Sequence, residues 1–445
     1  MIPPPVPTAP LIVAATVPFR EAFRFWWKLG WISFGGPAGQ IATMHEELVE
    51  KRRWISNRRF FHALDDCMVL PGPEAQQLAT YIGWLLHGTK GGVAAGVLFV
   101  LPAAVLLTLL SWVYVSFGHV PAIDGVLAGF RPAVVAVIVA AVLRIGRRAI
   151  HSRFALAMAA GAFLGLELHV PFPIVIAVAA IAGAFGARVG VPGAAGRATS
   201  GHATTVGEGA RSFVLDDDTP TPRHARVSAE GVLRVVFACL ALFAAALLPL
   251  ILIEDMPRSL GDLALFFTGA AFVTFGGAYA VLPHVAHFAV ETRGWLRAPE
   301  MLDGLALGET TPGPLILVVT FVGYLAAART IGPAAGVAGA AVATWFTFLP
   351  SFLFVLAGGP FVEEARGRSW FSAPFAAVSA AVVGVIAHLA RDLAPAVFVG
   401  DTGRVIFSAV LFTLAETCLL TRWLSVPWVV LFAGLAGLLT TWNTW

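Results

Sequence analysis

Stretches of about 18–25 apolar residues recur along this chain, each long enough to cross ~30 Å of hydrocarbon. Lipid offers no partner for a backbone N–H or C=O, so a chain built this way must be helical or a closed barrel. The alternating ten-residue strands of a barrel are absent. Of 445 residues, 58% are hydrophobic and 12% charged, against about 25% charged in a soluble domain. The fold class is therefore an all-α polytopic membrane protein. The mean hydropathy of +0.82 agrees.

The pI near 9.0 suggests nucleic acid, but the formal charge is only +3. The basic residues cluster between apolar runs, where topology and lipid headgroups explain them. Cys67, Cys239 and Cys418 are far apart and never spaced as CxxC, so neither a disulfide framework nor a zinc site is expected. The N-terminal stretch has no basic n-region and only a short apolar run, Leu11 to Val17, so no cleaved signal peptide is expected.

The apolar segments fall near 23–44, 62–87, 92–116, 125–146, 153–169 and 171–188, and again near 232–253, 263–286, 302–328, 333–357, 372–391, 404–420 and 425–442. This divides the chain into an N-terminal tail, 1–20; a first half, 21–188; a polar and solvated linker, 189–231; a connecting helix, 232–253; and a second half, 254–445. The halves are copies. Phe34-Gly35-Gly36 returns as Phe275-Gly276-Gly277, Trp54 as Trp295 and Pro71-Gly72-Pro73 as Pro312-Gly313-Pro314, each at an offset of 241. Leu101-Pro102 returns as Leu349-Pro350 at 248. With an even number of crossings per half, the lone connecting helix turns the second copy over, giving an inverted repeat. If one segment of each half is re-entrant, the halves run parallel instead. The Lys/Arg distribution places the N-terminus in the cytoplasm. Six crossings per half, however, put the basic loop "EKRRWISNRR" (50–59) on the wrong side. Trp54 and Trp295 read as interfacial anchors.

Pro-Gly-Pro inside an apolar segment ends one helix and starts another. Freed backbone groups at membrane depth survive where they line a site. The half-helices starting at Pro73 and Pro314 would aim N–H groups, and about half a positive charge each, at an anion. Gly35, Gly36, Gly276 and Gly277 would let a second backbone approach closely. These features point to a midplane oxyanion site at the repeat interface, with kinked helices as the plainer alternative. Glu74 follows the first break and Glu309 precedes the second; intramembrane carboxylates often relay protons. Asp65 and Asp66 are weaker candidates for the same role, since both could pair with the nearby basic loop. Arg131, early in its segment, either grips an oxyanion bidentately or snorkels to the headgroups.

"FGGPAGQIA", "EKRRWIS", "LPGPEAQQLATYIGWLLHG" and "VLFVLPA", followed in the second half by "FTFGGAYAVLP", "ETTPGPLI" and "TFVGY", resemble the chromate ion transporter family in its long, two-domain form. The resemblance implies efflux of chromate across the cytoplasmic membrane of a prokaryote, giving chromate resistance. It also implies secondary coupling to the proton-motive force rather than to ATP. Its motif positions carry onto Gly35, Gly36, Pro37, Pro71, Gly72, Pro73, Glu74 and Gln77, and onto Gly276, Gly277, Glu309, Pro312, Gly313 and Pro314. Asp65-Asp66 departs from the family pattern. No cofactor or metal is implied. The expected partners are chromate or its isostere sulfate, the lipid bilayer and, in a homodimer, a second copy, with no nucleic acid. The rival readings are a sulfate transporter, an oxyanion channel and a membrane-embedded metal-dependent enzyme. The last would need an acidic cluster to match "DDCM", and the second half has none.

Overall fold

A computed structural model describes residues 17–194, 213–216, 219, 222–253, 257–275, 277–364 and 372–442. The first half opens with α1 (Phe19–Ile32), α2 (Gly36–His45) and a π turn (Glu46–Lys51), then α3 (Asn57–Val69) and α4 (Glu74–Phe117). At His87 and Gly88 the backbone of α4 leaves helical geometry and reverses, giving a short arm, 74–86, and a long arm, 89–117. The arms touch at glycine: a Cβ on Gly83 would lie 2.5 Å from Ala95 Cβ and 2.6 Å from Gly91 O. Then come α5 (Pro121–Ala149), α6 (Arg153–Glu167), α7 (Phe172–Arg188) and the connecting α8 (Ala229–Leu252).

The second half repeats this series. It runs through α9 (Arg258–Phe272), α10 (Ala278–His287), a π turn (Phe288–Thr292), α11 (Ala298–Thr310), α12 (Val318–Thr330), α13 (Gly336–Glu364), α14 (Ser372–Leu393), α15 (Thr402–Leu420) and α16 (Val426–Trp442). Helices α12 and α13 correspond to the two arms of α4. A Cβ on Gly323 would meet Ala343 Cβ at 2.5 Å, as at Gly83.

Contacts fix the direction of each piece. Phe19 packs on His87 with ring centroids 5.5 Å apart, and a Cβ on Gly30 would sit 3.0 Å from Pro102. So α1 runs beside the long arm of α4 and stops near its midpoint. The return end of α2 and the start of α3 are tied together by His45–Asn57 (2.6 Å), and Arg52 reaches back to Glu21 (3.4 Å). Both pairs, α1 with α2 and α3 with the short arm of α4, are therefore re-entrant hairpins entering from the face that holds His87. In the second half Tyr114, near the far end of the long arm, stacks edge-on against Phe321 (5.1 Å). Its hydroxyl donates to Asp303 (2.9 Å). The hairpins α9–α10 and α11–α12 therefore enter from the opposite face, and the repeat is inverted.

This corrects the segment count. The first two apolar segments of each half are broken hairpins, followed by four further helical stretches in each half; among the described residues six helices are long and apolar enough to cross a membrane. The parity stays even, which keeps the inversion. The basic loop at 50–59 now lies on the same face as the start of α1, so the conflict in the charge distribution disappears.

Two other expectations change. Trp54 and Trp295 are buried, packed on Phe25 (5.1 Å) and on Phe288 (5.4 Å). Apolar burial at the hairpin roots takes them away from the lipid interface. The described linker is docked at 213–216 and 222–225 and exposed at 189–193 and 226–231. Leu215 is buried and bridges Ile55, Arg59 donates to Asp216 O (2.7 Å), and His224 donates to Trp84 O (2.8 Å).

Candidate functional site

Each Pro-Gly-Pro break begins a half-helix. Pro73 caps α4, and Pro314 caps a short 3-10 turn (Leu315–Leu317) that leads into α12. The tips cross between halves. Gly72 N–H donates to Thr274 O (2.8 Å), at the α9–α10 break, and Gly313 N–H donates to Ser33 O (2.8 Å), at the α1–α2 break. Ser33 and Thr274 are repeat equivalents, so the two bonds are one interaction drawn twice about a pseudo-two-fold axis. Gly72 and Gly313 have φ of 134° and 101°, a region that L-residues rarely enter.

The depth of this junction follows from its neighbours. A Cβ on Gly313 would collide with Ala103 and one on Gly72 with Ser351. Ala103 is the middle residue of the long arm of α4, and Ser351 lies at the middle of α13. Both are crossing helices of roughly 40 Å, so the breaks sit near mid-membrane.

Four helix N-termini gather here. Gly35 (φ 87°) caps α2 and Gly277 (φ 91°) caps α10, beside the starts of α4 and α12. A carboxylate stands near each of the first two. A Cβ on Gly277 would lie 3.3 Å from Glu74 Oε1, so Glu74 reaches across the interface to the α10 N-terminus. A Cβ on Gly36 would lie 3.8 Å from the Tyr279 hydroxyl, which donates to Glu309 Oε1 (2.6 Å). Glu309 is buried and its Oε2 has no hydrogen-bond partner. Electrostatically, an ionised carboxylate occupies the place an anion would take.

The remaining expected residues divide. Pro37 lies in the first turn of α2, and Pro71 and Pro312 open the breaks. Gln77 is buried and donates to Pro71 O (2.7 Å), so it braces the first loop. Gln40 does the same for the second by donating to Gly313 O. Gly276 lies outside the described residues. Asp65 is exposed and Asp66 half-buried on α3, about one turn before the break. Arg131 does not join the breaks. It makes a bidentate pair with Asp303, Nε to Oδ1 at 2.9 Å and Nη2 to Oδ2 at 3.0 Å. The Tyr114 hydroxyl shares that carboxylate, about 16 Å along the helix from Ala103. The buried Asp303 charge needs a partner at that point, and Arg131 supplies it.

Sequence reasoning missed Tyr279, Gln40 and Asp303. Tyr279 has Ala38 as its repeat equivalent, so no duplicated motif marks it. A lone Asp303 between apolar residues was legible as an intramembrane charge in need of a partner.

The family model for "Chromate transporter" matches residues 20–184 and 261–438. A chromate transport protein of Pseudomonas aeruginosa is 34% identical over 437 residues, covering 94% of this chain and 92% of that protein. One of Cupriavidus metallidurans is 28% identical, covering 96% and 94%. An uncharacterised transporter of Methanocaldococcus jannaschii is 27% identical, covering 82% and 81%. No solved structure matches. With two matched regions that span most of the chain, and relatives aligned along nearly their full length, this protein belongs to the chromate transporter family, a family of membrane transporters rather than enzymes.

Proposed function

We propose that this protein exports chromate from the cytoplasm across the cytoplasmic membrane as a secondary transporter, with its N-terminus inside. The observation that carries this reading is the reciprocal junction of the two breaks, where four helix N-termini and two carboxylates meet near mid-membrane. Backbone N–H groups suit a tetrahedral dianion, and chromate is the substrate named for the relatives. Sulfate has the same shape and is the competitor to test.

Charge supports the orientation. Arg258, Arg293, Arg297, Arg329, Arg391 and Arg404 lie toward the face away from His87, and Arg131 lies within the membrane. The other described lysines and arginines lie toward the His87 face. By the positive-inside rule that face is cytoplasmic, and the N-terminus lies on it.

The carboxylates supply the coupling. At ~5 Å and an effective dielectric of about 20, an ionised carboxylate repels a dianion by roughly 6–7 kcal/mol. Protonation removes this repulsion, so proton and anion occupy the site together. A dianion accompanied by one carboxylate proton carries one net negative charge outward. The inside-negative potential then drives export by about 2.3 kcal/mol per 100 mV. Export thus draws on the electrical component of the proton-motive force.

Uptake of labelled chromate into inverted vesicles tests this. Uptake should saturate, rise when an interior-positive potential is imposed, and depend on pH. Saturable uptake of sulfate that chromate fails to inhibit would overturn the substrate. A flux linear in chromate and indifferent to pH would indicate a channel.

A further inference from the structure

Ser351 is buried, and its hydroxyl has no hydrogen-bond partner. Several buried hydroxyls bond back to the carbonyl four residues earlier: Ser111 to Leu107 and Thr347 to Ala343 within helices, and Ser33 to Leu29 and Thr274 to Ala270 at helix ends. Ser351 does not. Its Oγ is turned instead toward Gly72, close enough that a Cβ there would collide with it, and the same Cβ would lie 2.6 Å from Gln77 Nε2. Gln77 spends that nitrogen on Pro71 O and leaves its buried Oε1 unpartnered. A buried donor left unmet is costly, so it marks a place where a partner is expected.

The other half supplies the control. Around Gly313 the equivalent neighbour is the methyl of Ala103, and the repeat equivalent of Gln77 is Val318. These two positions are apolar in the second copy, although Gln40 donates to Gly313 O there. Packing against a Pro-Gly-Pro loop therefore requires no hydroxyl, because alanine fills the same place in the second copy.

We propose that Ser351 Oγ–H is a side-chain ligand of the transported oxyanion, donating to one of its oxygens at the first break. The hydroxyl ligand is then one-sided: the anion is held at the N-terminus of α4 by Ser351, and Ala103 stands in the equivalent place at the second break. This rests on the oxyanion reading above. It adds a residue in α13 that a model of backbone donors alone does not contain.

The experiment is chromate uptake in inverted vesicles for the parent, Ser351→Ala and Ser351→Thr, with sulfate as competitor and membrane abundance measured for each. A hydrogen bond to a charged acceptor corresponds to roughly a 10- to 100-fold change in binding. Ser351→Ala should raise the KM for chromate by that factor and leave Vmax within about threefold. Ser351→Thr, which keeps a hydroxyl, should stay near the parent. If Ser351→Ala is poorly inserted, chromate-induced thermal stabilisation of the purified parent and the threonine variant, lost in detergent-purified Ser351→Ala, reads the same contact. A KM for Ser351→Ala equal to that of the parent, or unchanged stabilisation, would mean that the hydroxyl serves a resident water only, and would overturn the assignment. A parent that takes up no chromate would instead overturn the transport reading, so the two failures are distinct.

Discussion

Two carboxylates in this protein lie where an anion is expected. Glu309→Gln removes a charge near the α2 N-terminus but keeps an acceptor for the Tyr279 hydroxyl. It should bind chromate at least as well as the parent, and its transport should depend less on pH. Flux and binding in vesicles between about pH 5.5 and 8 check this. Full retention of the pH dependence would make Glu309 structural and leave Glu74, against Gly277, as the coupling group. Asp303 belongs to a different task. Its charge is buried and held by Arg131 and Tyr114, so Asp303→Ala strands a guanidinium and should cost about 3–5 kcal/mol. Thermal unfolding in detergent would show this as a lowered midpoint, and replacing Arg131 with Met in the same chain should restore part of it.

Among the elements, the hairpins depend on close backbone approach. Gly83 and Gly91 place the two arms of α4 in contact, and Gly83→Val would drive a side chain into the Gly91 carbonyl. Overpacking of this kind costs about 1–3 kcal/mol or more, readable as reduced thermal stability with the proposed anion site still present. Gly313→Ala acts otherwise. With φ at 101° and Ala103 in the way, it should displace the second break and weaken chromate binding more than it lowers the unfolding midpoint. Equal losses in both would show that the break is merely a packing element. Pro-Gly-Pro was legible in the sequence as a helix break because proline can neither donate nor continue the preceding turn. Whether the chain carries on through the membrane or turns back at the break was not legible. That is settled by what packs on each arm: Phe19 on His87, and Phe321 on Tyr114.

For the molecule as a whole, the inversion predicts opposite exposure of equivalent turns. Gly88 and Gly332 end corresponding hairpins, one on each face. In a background with Cys67, Cys239 and Cys418 replaced, Gly88→Cys should react with an impermeant thiol reagent only from the cytoplasmic side, and Gly332→Cys only from the other. Labelling of both from one side would refute the inverted arrangement.

Composition and run length alone decided the solvent, because apolar segments of this length bury their backbone groups only as helices in lipid. The constant offset of 241 likewise announced two copies, and the paired breaks announced where helices end. Four facts depended on the folded chain: that the first two segments of each half are re-entrant, that Gly72 and Gly313 bond to the opposite copy, that Glu74 reaches Gly277, and that Arg131 is spent on Asp303. The last three join residues more than 150 positions apart. Local propensity and periodicity carry no information at that separation. Only the packing of one inverted copy against the other determines which partner each group meets.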